Sequence, residues 1–173
     1  MTAGPTLVLG GARSGKSRMA ESLVTGLPGP WTYIATARAL DAEMADRIAH
    51  HRAGRIPGWV TVEEPLDLAG ALSAAGGTGR PVLIDCLTLW LTNIILAGRD
   101  VPAECRLLLG TLSLLPVPTV VVANEVGLGI VPGDALSRLF RDHAGRLNQD
   151  VAAIARRVLF MAAGLPLTLK EVP

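Results

Sequence analysis

The sequence is poor in the residues that mark several large classes of protein. Of its 173 residues only 3% are aromatic and two are cysteine. A core with so few rings must be built from Leu, Val, Ile and Ala, which bring no polar atoms to satisfy. Cys86 and Cys105 form no C-x-x-C pair and no cluster with metal-ligand spacing, so neither a disulfide framework nor a zinc site is indicated. Two buried thiols in a reducing cytoplasm are expected. Charge of one sign is missing too: sixteen basic residues face fifteen acidic ones, with no block of like charge. Nucleic-acid binding by phosphate neutralisation needs a basic excess, so that class is set aside. The mean hydropathy of +0.42 raises the question of a membrane. Yet the most apolar stretch, 81–98, is interrupted by Asp85 and diluted by Thr88, Thr92 and Asn93. What remains is shorter than the roughly 20 apolar residues of a spanning helix. No basic region precedes the first apolar run, which is too short for a secretory signal. A cytoplasmic protein without a membrane span is expected.

What is present is ample core material, since half the residues are hydrophobic and disorder is thereby excluded. Apolar runs alternate with helical periodicity. Strands are predicted at 6–9, 31–35, 60–63, 81–85 and 119–123, and helices at 16–25, 41–54, 66–75, 86–97, 102–115 and 135–157. Asp41 is a plausible N-cap for the second helix. "VLFMAA" and "LPLTLK" around Gly164 suggest a hairpin at the sheet edge. Strands separated by helices in this order predict an α/β sandwich with a mainly parallel sheet. No repeat or linker divides the chain, so residues 1–173 read as one domain.

The strongest local signal is Gly10-Gly11-Ala12-Arg13-Ser14-Gly15-Lys16-Ser17, a complete G-x-x-x-x-G-K-[ST] between a strand and a helix. Its glycines let backbone N–H groups wrap phosphate oxygens, and the helix directs its positive end at them. Lys16, one of two lysines in the chain, adds a point charge for the β- and γ-phosphates. The Ser17 hydroxyl suits Mg²⁺. A second Mg²⁺ ligand is expected at the end of another apolar strand, where Asp85 follows "PVLI"; capping the helix that starts at Cys86 competes as its role. A guanine-switch GTPase would show N-K-x-D where Asn124-Glu125-Val126-Gly127 stands, and D-x-x-G where Asp85-Cys86-Leu87-Thr88 stands. A small kinase or phosphoryl or nucleotidyl transferase fits better, with arginines late in the chain at Arg138, Arg141 and Arg146.

His50 and His51 are adjacent on the 41–54 helix, and their side chains leave it about 100° apart. Only one can face a ligand. With Arg47 and Arg55 a turn away on either side, a neutral imidazole there is a credible nucleophile toward phosphorus. A solvated helical face explains the same residues, and i, i+4 zinc spacing is absent.

Together, "LVLGGARSGKSRMAE", "YIATARALDAEMADRIAHHRAGR", "IDCLTLWLTN", "ANEVGLGIVP" and "SRLFRDHAGRLNQ" resemble the bifunctional cobinamide kinase / cobinamide-phosphate guanylyltransferase family of adenosylcobalamin biosynthesis, from Thr6 to about Lys170. The resemblance implies a RecA-like P-loop NTPase fold and a three-layer sandwich. It implies a kinase that moves the γ-phosphate of ATP or GTP to adenosylcobinamide. It also implies a guanylyltransferase in which His51 attacks the α-phosphate of GTP. Nucleotide contacts are implied at 10–17, at Ala35, Thr36 and Ala37, at Arg52, Ala53, Gly54 and Arg55, and at Glu63 and Asp85. The family forms a trimer whose neighbouring subunits contribute to the sites; between 97 and 119 this chain is short for the pattern. A plain P-loop kinase of another hydroxyl, a guanylyltransferase without kinase activity, and a nucleotide-binding module without catalysis are the other readings.

Overall fold

A computed structural model describes residues 4–39, 42, 45–46, 49 and 53–172. Its elements are β1 (Thr6–Gly10), α1 (Lys16–Thr25), β2 (Trp31–Ala35), β3 (Trp59–Glu63), α2 (Leu68–Gly76), β4 (Val82–Asp85), α3 (Leu87–Leu96), α4 (Val101–Leu114), β5 (Thr119–Asn124), α5 (Ala135–Ile154), β6 (Arg157–Ala162) and β7 (Leu165–Glu171). One seven-stranded sheet runs β3-β2-β4-β5-β1-β6-β7. Every pairing is parallel except the β6–β7 hairpin at the edge. The expected α/β architecture is therefore present, hairpin included.

The strands are apolar on both sides because both sides are covered. Leu7 and Leu9 of β1, Val82 and Ile84 of β4, and Val121 and Ala123 of β5 pack into a large core with α2, α3, α4 and α5. The intervening Val8, Leu83, Val120 and Val122 turn to a smaller core with Ala20 and Val24 of α1. Alternation of side chains along each strand thus makes the middle layer of three.

Aspartates start three of the helices. The carboxylates of Asp67, Asp100 and Asp134 accept from Gly70 N, Ala103 N and Ser137 N, satisfying donors that a helix N-terminus leaves open. Two expected boundaries shift by more than one residue. The 66–75 helix begins at Leu68, after its Asp67 cap. The 135–157 helix stops at Ile154, because Arg157 pairs with Thr6 in the sheet and Arg156 N donates to Pro5 O. Sheet pairing wins over helical periodicity there. In the 41–54 segment the described residues Ala42, Ala45, Asp46, Ala49 and Ala53 are helical; Asp41 lies outside the described residues. Among the described residues, no helix is long and apolar enough to cross a membrane.

Candidate active site

Parallel register brings the carboxyl ends of the strands to one edge of the sheet. Ala35 of β2 stands opposite Glu63 on one side and Asp85 on the other; Gly10 of β1 stands opposite Asn124 and Met161. Open α/β sheets bind ligands outside this edge. β5 lies between β1, which carries the phosphate loop, and β4, which carries Asp85.

The loop from Gly10 to Ser17 is fixed from both flanks. Glu125 N donates to Gly10 O, and Gly164 N, at the tip of the β6–β7 hairpin, donates to Ser14 O, 3.0 Å away. Gly15 caps α1 with φ +94, a left-handed conformation that glycine adopts without strain. A Cβ there would come within 3.3 Å of Gly164 Cα, so the hairpin buttresses the loop. Lys16 is 7% exposed, and its Nζ donates to Gly11 O across the loop at 2.5 Å. Its ammonium therefore sits over the loop rather than in solvent. Ser14 Oγ is buried without a hydrogen-bond partner, a polar atom that a phosphate oxygen would satisfy. Ala12 and Arg13 are exposed on the rim, and Ser17 is half-buried in the first turn of α1.

Asp85 ends β4 half-buried, and its carboxylate does not take up the competing role of a helix cap. The cap of α3 is Cys86, with no side-chain hydrogen bond, so Asp85 is not that helix's cap. Instead its Oδ2 accepts from the Tyr33 hydroxyl at 2.8 Å. Tyr33 is 3% exposed; burial, and then the Asp85 charge, push its pKa far above the ordinary phenol value. The Arg55 guanidinium lies over the Tyr33 ring, 3.3 Å from its centre, and Trp59 meets that ring edge-on. Arg55 Nε stands 3.9 Å from Glu21 of α1, an ion-pair distance too long for a hydrogen bond.

Thr36 has a different part from a contact made by its side chain. It is fully buried, its Oγ1 donating to Cys86 O (2.7 Å) and accepting from Cys86 N (2.8 Å). Its backbone N donates to Asp85 O, and its carbonyl accepts from Asn93 Nδ2. Thr36 thus ties the end of β2 to the end of β4. Ala37 is half-buried beside it, Ala53 and Gly54 are exposed, and Glu63 is exposed at the end of β3. His50, His51 and Arg52 lie outside the described residues. Cys86, next to Asp85, is no substitute nucleophile: burial, then the Asp85 charge, push its thiol up to about 12, so it stays protonated at neutral pH. Of the late arginines, Arg138 donates to Pro132 O and Gly133 O and so pins the loop before α5, while Arg141 pairs with its neighbour Asp142. A cleft of about 460 Å³ between α2 and α4, lined by Gly76, Arg106, Leu114 and others, includes no residue of the phosphate loop.

The profile of the family described as cobinamide kinase / cobinamide phosphate guanyltransferase matches residues 6–169. The chain belongs to this family. A relative from Pseudomonas aeruginosa, named bifunctional adenosylcobalamin biosynthesis protein CobP, is 50% identical over 169 residues, 96% of this chain and 98% of its own length. An Escherichia coli relative, named bifunctional adenosylcobalamin biosynthesis protein CobU, is 42% identical over 179 residues, covering 95% and 98%. Solved structures resemble it in fold alone. A Pyrococcus horikoshii OT3 protein has TM-score 0.55 at 11% identity, over 99% of this chain and 88% of that one. The type III secretion ATPase EscN of enteropathogenic E. coli has TM-score 0.57 at 13% identity, over 93% and 43%. The fold is that of RecA-like P-loop NTPases.

In this member of the cobinamide kinase / guanyltransferase family, several residues that shape the site escape the motif reading. Thr88 Oγ1 accepts from Asn124 N, Asn93 Nδ2 donates to both Thr36 O and Pro65 O, and Asn148 Nδ2 donates to Asn124 O. All three are buried. Asn148, among the polar residues of α5, carries no sequence signal. For Thr88 and Asn93 the signal is a polar residue on an apolar helical stretch, which demands a partner when buried. Tyr33, the chain's single tyrosine, carries the same signal in a buried strand.

Proposed function

We propose that this transferase acts twice on one corrinoid substrate, as kinase and then as guanylyltransferase. In the first reaction a hydroxyl oxygen of adenosylcobinamide attacks the γ-phosphorus of ATP or GTP. The bond to the β-phosphate oxygen breaks, nucleoside diphosphate leaves, and the hydroxyl proton is released. In the second, an imidazole nitrogen of His51 attacks the α-phosphorus of GTP and pyrophosphate leaves. A phosphate oxygen of adenosylcobinamide phosphate then displaces the histidine from phosphorus, giving adenosylcobinamide-GDP. Family membership supports the pair of reactions, and a covalent intermediate divides the nucleotidyl transfer into two displacements. The observation that carries the nucleotide half is the phosphate loop, with buried Lys16 drawn across it, on the same sheet edge as Asp85.

Lys16 and the N–H groups of the loop orient the β- and γ-phosphates, and Ser14 offers a buried hydroxyl. Ala35, Ala37, Arg52, Ala53, Gly54, Arg55 and Glu63 complete the proposed nucleotide surface, with Thr36 holding its floor. For Mg²⁺ the donor set fits: such a site takes one or two protein oxygens and leaves the rest to phosphates and water. Ser17 and Asp85 supply that number, and among the described residues no larger cluster of His, Cys, Asp or Glu is assembled. Bound there, Mg²⁺ would neutralise phosphate charge.

We further assign the chain to the cytoplasm, supported by two free thiols, and to a homotrimer. Large apolar side chains left open on a single chain, such as Leu128 and Ile130, support assembly. The whole chain is taken as one catalytic domain.

The test is incubation with GTP labelled at the α-phosphate, without acceptor. The denatured wild-type protein should retain label, His50→Ala should retain it, and His51→Ala should lose it while keeping γ-phosphate transfer to cobinamide. Peptide mapping that placed GMP on His50, His143 or a lysine would overturn the assignment.

A further inference from the structure

Asp85 does not stand alone at the end of β4. Its Oδ2 is held by the hydroxyl of a tyrosine two residues before the end of the neighbouring strand. Tyr33 is itself immobilised on three sides. Its backbone is a central rung of β2, paired with Thr61 and Leu83. Trp59 packs edge-on against the ring at 5.6 Å between centres, and the Arg55 guanidinium covers a face. A cation over the ring polarises the phenol and strengthens its O–H as a donor. A carboxylate so held has one oxygen anchored, with lone pairs on Oδ1 still available. This is the arrangement in which outer partners orient ligands and tune cation affinity.

We propose that Tyr33 is the positioning residue of the cation site, orienting the Asp85 carboxylate by its hydroxyl, with Arg55 and Trp59 holding the ring. The proposal rests on the reading of Asp85 as a cation ligand. A tyrosine serving only to fill the core would need no hydroxyl, and its nearest apolar equivalent, phenylalanine, keeps every ring contact. The hydroxyl, not the ring, is therefore the part to test.

The chain contains one tyrosine, so growth on 3-fluorotyrosine labels this position alone and leaves the enzyme otherwise intact. In the wild-type chain with GTP bound, adding Mg²⁺ should move the fluorine resonance; in Asp85→Asn it should not. Alongside, Mn²⁺ affinity is measured in the GTP complex by the loss of the free-ion EPR signal, with GTP affinity measured separately in chelator. Asp85→Asn should weaken Mn²⁺. Tyr33→Phe should weaken it about 10-fold, the low end of what losing an outer partner costs. For Tyr33→Phe, cation-free GTP affinity should stay within twofold. The double variant should be no weaker than Asp85→Asn alone. If Asp85→Asn leaves Mn²⁺ affinity unchanged, the cation reading falls and the proposal with it. If Asp85→Asn weakens Mn²⁺ but Tyr33→Phe does not, or the fluorine resonance ignores Mg²⁺, the positioning role alone is overturned.

Discussion

Much of what shapes the site is done by single buried polar side chains that hydrogen-bond to backbone groups. Thr36 is the clearest case, one hydroxyl serving both the N–H and the C=O of Cys86. Replacing it with valine keeps the shape and strands the Cys86 N–H in a buried place, while Cys86 O keeps the N–H of Trp90 as a donor. A stranded donor costs about 1–3 kcal/mol, so Thr36→Val should lose about 2 kcal/mol in urea denaturation at unchanged slope. Thr36→Ser keeps the hydroxyl and removes a methyl, a loss of about 1 kcal/mol. Equal losses for the two variants would show that the methyl, not the hydroxyl, matters.

At the scale of elements, the phosphate loop depends on a neighbour far away in sequence. The β6–β7 hairpin turns through Ala163 and Gly164, with φ +52 and +79, the mirror-image turn that suits the twist of its strands. Gly164 then donates to Ser14 O and lies against Gly15. A β-branched residue resists such a φ by about 1–2 kcal/mol, so Gly164→Val should lose that stability and weaken nucleotide binding several-fold by displacing the loop. Ala163→Gly, in the same turn, should instead gain about 0.5 kcal/mol, because relief of strain exceeds the entropy cost of glycine. Nucleotide affinities that changed alike in both variants would dismiss the buttress. Both sides of this contact show what was legible. The glycine spacing of the loop and the hairpin around Gly164 stand out in the sequence, because local turn chemistry dictates each. That the hairpin backs the loop does not, since it depends on β6 pairing with β1 across most of the chain. The same applies to Asp85, whose place at a strand end is a local pattern, while its tie to Tyr33 needs the β2–β4 register. The end of α5 departs from the sequence pattern for that reason too: the periodicity continues past Ile154, but pairing with β1 claims Arg157.

For the whole molecule, these ties make nucleotide binding a global matter. The phosphate loop joins β1 to α1, takes a hydrogen bond from the chain after β5, and another from the hairpin. A ligand held by that loop therefore binds the folded sheet and not the unfolded chain. Under such linkage, ligand at a hundred times its Kd stabilises by about 2.7 kcal/mol. For a chain of this length that corresponds to a rise of about 5–10 °C in Tm. Wild-type protein in Mg²⁺ and GTP should show this rise. Lys16→Ala at the same concentrations should show little of it, and its turnover should fall about 100-fold or more, as when a preorganised transition-state contact is removed. Without ligand the variant should melt close to wild type, because the loop stays tied by Glu125 N to Gly10 O and by Gly164 N to Ser14 O. The three readings together separate the possible roles of this residue. A ligand-free Tm well below wild type would make Lys16 a structural clasp for Gly11. An intact ligand-induced rise with near-normal turnover would refute the phosphate-loop assignment itself.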